Sequence, residues 1–138
     1  MANLLLTGGC FCGEVRYQCG ALLYPATLCH CESCRRVSGA HVVAWITVAV
    51  ETFVFTKTKP LEFNSSKQVF RSFCPQCGTP LTYRREQRAG EIDITLATLD
   101  RPSEVSPIDH IYMEDAVLWD RPKDGLPQFV KTRNEPSL

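Results

Sequence analysis

Eight cysteines in 138 residues are the chemically distinctive feature of this sequence, and seven of them fall in three short motifs. The motifs are Cys10-Phe11-Cys12-Gly13, Cys29-His30-Cys31-Glu32-Ser33-Cys34 and Cys74-Pro75-Gln76-Cys77-Gly78. The first residues show no positively charged, apolar export signal, so we expect a cytoplasmic location, where disulfides are rare. Thiolates at these spacings are typical zinc ligands, and they indicate two zinc ions per chain rather than a disulfide framework.

The two cysteine pairs that are followed by glycine predict a closed structural site. In a Cys-x-x-Cys turn both sulfurs can bind one ion, and Gly78 permits the positive φ that the turn requires. One pair supplies two ligands, whereas a structural zinc takes four. Pairing the two motifs gives a site that would fasten the N-terminal strand to the middle of the chain. Its ligands are Cys10, Cys12, Cys74 and Cys77.

The remaining cluster supplies three thiols, Cys29, Cys31 and Cys34. Three protein ligands with a vacant fourth position are typical of catalytic zinc, so we predict an open, catalytic site here. The alternative is a site closed by a fourth side chain, for which the candidates are Cys19, His30, His41 and His110. Of these, Cys19 shares an alternating face with Val15 and Tyr17, which favours a buried core residue. His30 should project away from the cysteines on either side of it.

An open three-thiolate site suits thiol chemistry. Three thiolates around a divalent cation leave one net negative charge, which makes the ion a weak Lewis acid. Such a site would instead hold a fourth, exogenous thiolate at neutral pH. Arg35 and Arg36 follow the last ligand and could offset this charge or bind a carboxylate of the incoming thiol, although they could equally be a solvated surface pair. Together with Ser38 they are the candidate substrate-binding residues.

Short strands must position these cysteines. Period-2 alternation predicts half-buried strands over 14–19 and over 91–97, where Ile92, Ile94 and Leu96 point inward. Residues 41–50, 52–56 and 67–73 are rich in β-branched and aromatic residues, and 81–84 could pair with 67–73 as a hairpin after a metal turn. The one short helix is expected over 32–37, ended by Gly39. The segment 101–107 favours a loop, and prolines 122, 127 and 136 exclude long regular structure in the tail.

Composition narrows the function classes. Fifteen basic and fifteen acidic residues give a formal net charge of zero, which argues against nucleic acid or an anionic membrane surface as a partner. No apolar run approaches the length of a membrane span. We therefore expect residues 1–138 to form a single mostly β domain without a linker.

The three motifs resemble the glutathione-dependent formaldehyde-activating enzyme family, which also includes centromere protein V. The segments that carry the resemblance begin at Gly8, Cys29 and Phe73, and His110-Ile111-Tyr112 and Asp124-Gly125-Leu126-Pro127 look like the family's C-terminal pattern. The resemblance implies a β-tent of small antiparallel sheets around zinc. It implies the same division into a structural and a catalytic zinc. It also implies a carbon–sulfur lyase that condenses formaldehyde with glutathione to S-hydroxymethylglutathione.

Two hypotheses therefore remain from the sequence. The first is a zinc enzyme acting on adducts of a small thiol, such as glutathione, with an aldehyde. The second is a non-catalytic, zinc-stabilised β module that binds a protein or a small ligand. The fourth coordination position of the three-cysteine site distinguishes them, because a protein side chain there would favour the second hypothesis.

Overall fold

A computed structural model of the protein describes residues 5–133. Residues 1–4 and 134–138, with Pro136, lie outside the described part. Within residues 5–133 the chain forms ten β-strands, one α-helix and several short 3₁₀ turns. The helix, α1, is Glu32–Ser38. The strands are Leu6–Gly9 (β1), Arg16–Cys19 (β2), Thr27–Cys29 (β3), Val43–Ala49 (β4), Val54–Phe55 (β5), Leu61–Ser66 (β6), Val69–Phe73 (β7), Pro80–Arg85 (β8), Glu91–Thr95 (β9) and His110–Ile111 (β10).

The strands build two sheets. A three-stranded sheet has the order β1-β2-β5, and a seven-stranded sheet has the order β10-β3-β4-β9-β8-β7-β6. The predicted mostly β fold with one short helix is confirmed. One ladder differs from the antiparallel expectation, because β10 pairs with β3 in parallel. β10 runs in the same direction as β9, because the segment that joins them is long enough to bring the chain back to the other end of the sheet. A tight hairpin turn would make two successive strands antiparallel.

The hydrophobic core joins the two sheets. Val15, Tyr17 and Cys19 lie on the inner face of the small sheet, and each is at most 1% exposed. They belong to the same buried cluster as Ile46 of β4 and Ile94 of β9. The alternation of each strand produces this face, as predicted for 14–19 and 91–97. Cys19 is therefore a core residue.

The opposite face of the seven-stranded sheet is polar. Strand register places Thr47 of β4 opposite Asp93 of β9, Asp93 opposite Tyr83 of β8, and Tyr83 opposite Arg71 of β7. Residues that face one another across a ladder lie on the same side of the sheet. These four side chains therefore form one row across four adjacent strands. The sheet thus has one apolar face for the core and one polar face for a site.

The helix begins at Glu32, as predicted, and ends at Ser38, one residue later than predicted and directly before Gly39. Cys31 is the N-terminal cap, and its sulfur accepts a hydrogen bond from the backbone N–H of Cys34. Gly39 ends the helix with φ 72° in the left-handed region, where glycine carries no steric penalty. Among residues 5–133 no helix is long and apolar enough to cross a membrane.

Candidate metal centres and the adjoining cavity

The first cysteine cluster brings together two segments that are far apart in sequence. The sulfurs of Cys10, Cys12, Cys74 and Cys77 all lie within 4.8 Å of one another. The Cys10–Cys12 and Cys12–Cys74 sulfur separations are 3.5 and 3.7 Å. A tetrahedral thiolate site has edges of about 3.8 Å when its metal–sulfur bonds are about 2.3 Å. A disulfide would require about 2.0 Å, so this donor set fits a metal ion.

Two tight turns hold the first cluster in place. Gly13 and Gly78 both adopt left-handed backbone conformations, with φ of 83° and 82°. The turn at Gly78 closes when its N–H donates to the Cys74 carbonyl oxygen at 2.8 Å. The amides of Gln76 and Cys77 then point at the Cys74 sulfur at 3.4 Å. Amide donors around sulfur favour the thiolate, which is the form that binds metal.

The second cluster contains three sulfurs at the junction of β3 and α1. Those of Cys29, Cys31 and Cys34 lie within 4.8 Å of one another, and Cys34 is 3.5 Å from Cys29. Across residues 5–133, no fourth cysteine, histidine or acidic side chain completes this group. The four sequence candidates for a fourth ligand lie elsewhere. Cys19 is in the core, His41 pairs with Asp120, and His30 and His110 contact each other.

The three thiols of the second cluster are close enough to shift one another's pKa. Hydrogen bonds from Cys29 and Cys34, with a smaller contribution from nearby Arg71, lower the pKa of the Cys31 thiol to about 2. The hydrogen bonds with Cys31 and Cys34, together with burial, raise the pKa of Cys29 far above its ordinary value. Three thiolates this close repel one another, so ionising all of them is unfavourable without a cation. A divalent cation can hold all three as thiolates, so the donor set of this cluster also fits a metal.

A chain of hydrogen bonds lies behind the second cluster. His110 Nε2 lies 2.8 Å from the Asp124 carboxylate, and His110 Nδ1 lies 2.8 Å from His30 Nε2. Since a carboxylate only accepts, His110 donates through Nε2, and when His110 is neutral its Nδ1 accepts from His30 Nε2. His30 Nδ1 is buried and has no hydrogen-bond partner among the described residues. Burial, followed by the charge of His110, lowers the pKa of His30 to about 4, so it stays neutral.

A cavity of about 540 Å³ opens onto the second cluster. Its floor is the polar row of the seven-stranded sheet, and Trp45 of β4 and Tyr112 extend its wall. The residues that line it come from β3, α1, β4, β6, β7, β8, β9 and β10, from the turns that follow β8 and β10, and from the C-terminal segment. They are Thr27, Cys29, Cys31, Glu32, Ser33, Cys34, Trp45, Thr47, Ser66, Val69, Arg71, Tyr83, Arg85, Arg88, Asp93, Ile111, Tyr112, Asp115 and Thr132.

Three of the six charged side chains that line this cavity form ion pairs. Arg88 forms ion pairs with Glu91 and Asp93, and Glu32 pairs with Arg36 outside the cavity. Asp93 also accepts a hydrogen bond from Thr47 at 2.6 Å, although burial raises the pKa of its carboxyl group. Arg71 and Arg85, which the sequence did not single out, have no acidic partner among the described residues, and the Asp115 carboxylate accepts a hydrogen bond from the Glu32 amide at 3.2 Å.

Tyr112 has a strained backbone at the cavity wall. Its φ and ψ of 56° and 42° lie in the left-handed region, which costs a residue with a β-carbon roughly 1 kcal/mol or more. Its amide donates to the Lys131 carbonyl oxygen at 2.8 Å, which holds this conformation. Burial and the nearby charges of Cys29 and Cys31 raise the pKa of the phenol. The hydroxyl therefore stays protonated at neutral pH beside the second cluster.

The predicted substrate residues Arg35, Arg36 and Ser38 do not line this cavity. Arg35 and Arg36 border a separate depression with Trp119. The Ser38 hydroxyl donates to the Cys34 carbonyl oxygen at 2.7 Å, so it closes the last turn of α1. Their assignment to substrate binding stays a prediction.

The cavity residues that sequence reasoning missed lie on predicted strands. Arg71 and Tyr83 occupy alternate positions on 67–73 and 81–84, the two strands that were expected to form a hairpin. The only sequence signal for their role was that both lie on the face of the predicted hairpin that points away from the core.

Fold and site together define a mostly β protein with one four-cysteine and one three-cysteine cluster, each of which could hold a metal ion. Residues 5–115 match the sequence model of the family described as "Glutathione-dependent formaldehyde-activating enzyme", and the chain belongs to that family. A crystal structure of a Rhodobacter sphaeroides protein is 23% identical, covers 68% of this chain and 87% of that chain, and superposes with a TM-score of 0.58. At that identity the likeness shows the fold alone. No curated protein matches this sequence.

Proposed function

We propose that this protein is a zinc-dependent enzyme that joins a small thiol to an aldehyde, a reaction of the carbon–sulfur lyase type. Glutathione and formaldehyde are the expected pair, because the family bears their names. The observation that carries this proposal is the three-cysteine cluster. It opens onto a cavity of about 540 Å³, and no fourth protein ligand closes it in the described residues.

The donor chemistry supports zinc at both clusters, two ions per chain. All seven groups are thiols, which bind zinc as thiolates, and the sulfur spacing suits tetrahedral bonds. The first cluster would hold a structural ion, since its four cysteines complete the coordination. The second would hold a catalytic ion at Cys29, Cys31 and Cys34. We assign this chemistry to one domain spanning 1–138 in the cytoplasm, with neither nucleic acid nor a membrane as partner.

The reaction requires a deprotonated thiol, an aldehyde held close to it and a proton donor. When bound at the second cluster, zinc would keep the substrate thiol deprotonated at neutral pH. The cavity floor then brings the aldehyde against that sulfur, so proximity supplies much of the rate. The sulfur–carbon bond forms as the carbonyl π pair moves onto oxygen. That oxygen needs one proton, and we assign the donor role to the Tyr112 hydroxyl, which lines the cavity and stays protonated.

Zinc-edge X-ray absorption with and without thiol tests the proposal. The resting protein should show seven sulfur ligands for two zinc ions, and glutathione should add an eighth. Cys31→Ser should lose the added sulfur but keep the fold, whereas Cys19→Ser, at a buried non-ligand cysteine, should behave as wild type in sulfur count. If no thiol in a broad panel adds sulfur, the enzyme proposal is wrong and the non-catalytic module is favoured.

Activity provides the second measurement. Exchange NMR with ¹³C-formaldehyde and glutathione measures the rate of S-hydroxymethyl adduct formation over the spontaneous reaction. Wild type should accelerate this exchange and Cys31→Ser should not. Zinc-loaded wild type that binds glutathione but accelerates nothing would leave a thiol-binding protein and remove the catalytic claim.

A further inference from the structure

Arg71 is a buried cation at the cavity beside the second cluster. The residue is 6% exposed, and its Nε donates to the Ser65 hydroxyl at 3.2 Å. Its guanidinium lies over the Tyr83 ring, 4.8 Å from the ring centroid. Among residues 5–133 no carboxylate forms an ion pair with it, and its two terminal nitrogens, which make no hydrogen bond to protein, keep access to the cavity.

A buried guanidinium without an anion is unfavourable. Arginine keeps its charge at any physiological pH, so it cannot escape burial by losing a proton. Burial strips the guanidinium of part of its hydration, and the aromatic contact compensates for this only in part. Buried charges are normally paired for this reason. An anion that arrives with the ligand would supply the missing partner.

Arg85 is a second, half-buried cation on the neighbouring strand. It faces Val69 across the β7–β8 ladder, two positions along from the pair of Arg71 with Tyr83, so both arginines share the cavity face of the sheet. Arg85 also has no ion pair within the described residues. By contrast Arg84, between Tyr83 and Arg85 on the opposite face, binds Glu62 through Nε at 2.9 Å.

We propose that Arg71 and Arg85 form an anion subsite that binds a carboxylate of the thiol substrate, so that the protein selects thiols carrying a carboxylate over neutral thiols. This assignment rests on the proposed function, because it places the carboxylate of a molecule whose sulfur reaches the second cluster. Both arginines line the same cavity as Cys31, so one small molecule can contact the sulfurs and the guanidinium groups together. Arginine forks suit carboxylates because two parallel hydrogen bonds form at once.

A different role for Arg71 would be to balance the charge of the thiolates. In that case its removal would weaken every thiol equally, because each brings the same negative sulfur. In an anion subsite, its removal should weaken only ligands that carry a carboxylate. The comparison of acid and amide forms of one thiol separates the two roles.

Calorimetric titration of the zinc-loaded protein tests the subsite. The probes are 3-mercaptopropionate and 6-mercaptohexanoate, which differ in reach, with their uncharged amides. A further probe, 3-(methylthio)propionate, keeps the carboxylate but cannot supply a thiolate. The variants are Arg71→Met, Arg71→Lys and Arg85→Met. Arg84→Met is the matched control, because Arg84 lies on the same strand as Arg85 but outside the cavity. Zinc content and circular dichroism establish that each variant is loaded and folded.

Wild type should bind at least one acid more tightly than its amide, and Arg71→Met should weaken that acid about ten- to hundredfold while leaving the amide within about twofold. Arg71→Lys should recover part of the loss, and Arg84→Met should change nothing. Equal loss of acid and amide in Arg71→Met, or no preference for acids in wild type, would overturn the subsite while the thiol function stands. Binding of 3-(methylthio)propionate that depends on Arg71, with no thiol bound through sulfur, would keep the anion subsite and overturn the proposed function.

Discussion

The two metal centres should contribute unequally to stability, because they close loops of very different length. In the first cluster, Cys12 and Cys74 are 62 residues apart, whereas Cys29 and Cys34 in the second are five apart. Loop closure restricts the unfolded chain by three halves of RT times the logarithm of loop length, so the two clips should differ by about 2 kcal/mol. On the same basis the first clip is worth about 4 kcal/mol in total.

Two double variants isolate this difference. Cys10→Ser/Cys12→Ser and Cys31→Ser/Cys34→Ser each remove two ligands, which abolishes one centre and leaves the other. The pairs are matched in burial, because Cys10 and Cys34 are 8% and 6% exposed and each partner is less buried. The direct cost of replacing the sulfurs should therefore nearly cancel.

Urea unfolding at fixed total zinc, followed by circular dichroism, gives the free energy of unfolding of each variant. Metal analysis must first show one zinc per chain in both. The first-cluster variant should be the less stable by about 2 kcal/mol, with a similar dependence on urea. Equal stabilities, or a greater loss in the second-cluster variant, would refute the view that the first centre acts as a long-range clip.

Further expectations follow from the same structure. A mild chelator should remove about one zinc from the open second centre while the circular dichroism spectrum persists, and a stronger one should remove the other with a loss of stability of about 4 kcal/mol. Simultaneous loss of both would contradict the division. Tyr112→Phe should lower the condensation rate about a hundredfold with thiol affinity and zinc content retained, while Tyr24→Phe, outside the cavity, should match wild type in all three. Cys19→Ala should cost about 1 kcal/mol of unfolding free energy with two zinc ions still bound, and a halved zinc content would make it a ligand. Arg16 lowers the pKa of Asp100 through a hydrogen-bonded ion pair. The pair therefore stabilises the fold fully above the unfolded-state pKa of about 3.9. This stabilisation is lost as the pH falls through the lower pKa of the folded state. Asp100→Asn should therefore flatten the decline of stability below pH ~4, and an unchanged acid profile would contradict this contribution.

The sequence alone was sufficient to divide the cysteines. Metal-binding turns are local, and the Cys-x-Cys-Gly and Cys-x-x-Cys-Gly pairs each carry the glycine that their turn requires. Counting ligands then left three thiols for a second site, and the structure brings together those same two groups. Residues with strict alternation, such as Ile92 and Ile94, likewise predicted the core face because strand period is a local property.

Strands without alternation were not predicted. Every residue of Leu61–Ser66 is exposed, since it is an edge strand with no buried face to impose a pattern. His110–Ile111 is only two residues long, and its parallel pairing with Thr27–Cys29 depends on how the chain returns after β9.

Only the tertiary structure decided which residues line the cavity. From the sequence, Arg35 and Arg36 were candidates for substrate binding because they follow Cys34. In the structure they border another surface depression. Arg71, which is 37 residues further along than Cys34, lines the cavity instead. Its place depends on the register of β7, β8 and β9, and a shift of one residue would turn its side chain to the other face of the sheet. Proximity along the chain fixes which sulfurs can share an ion, but only sheet register fixes which distant charges surround them.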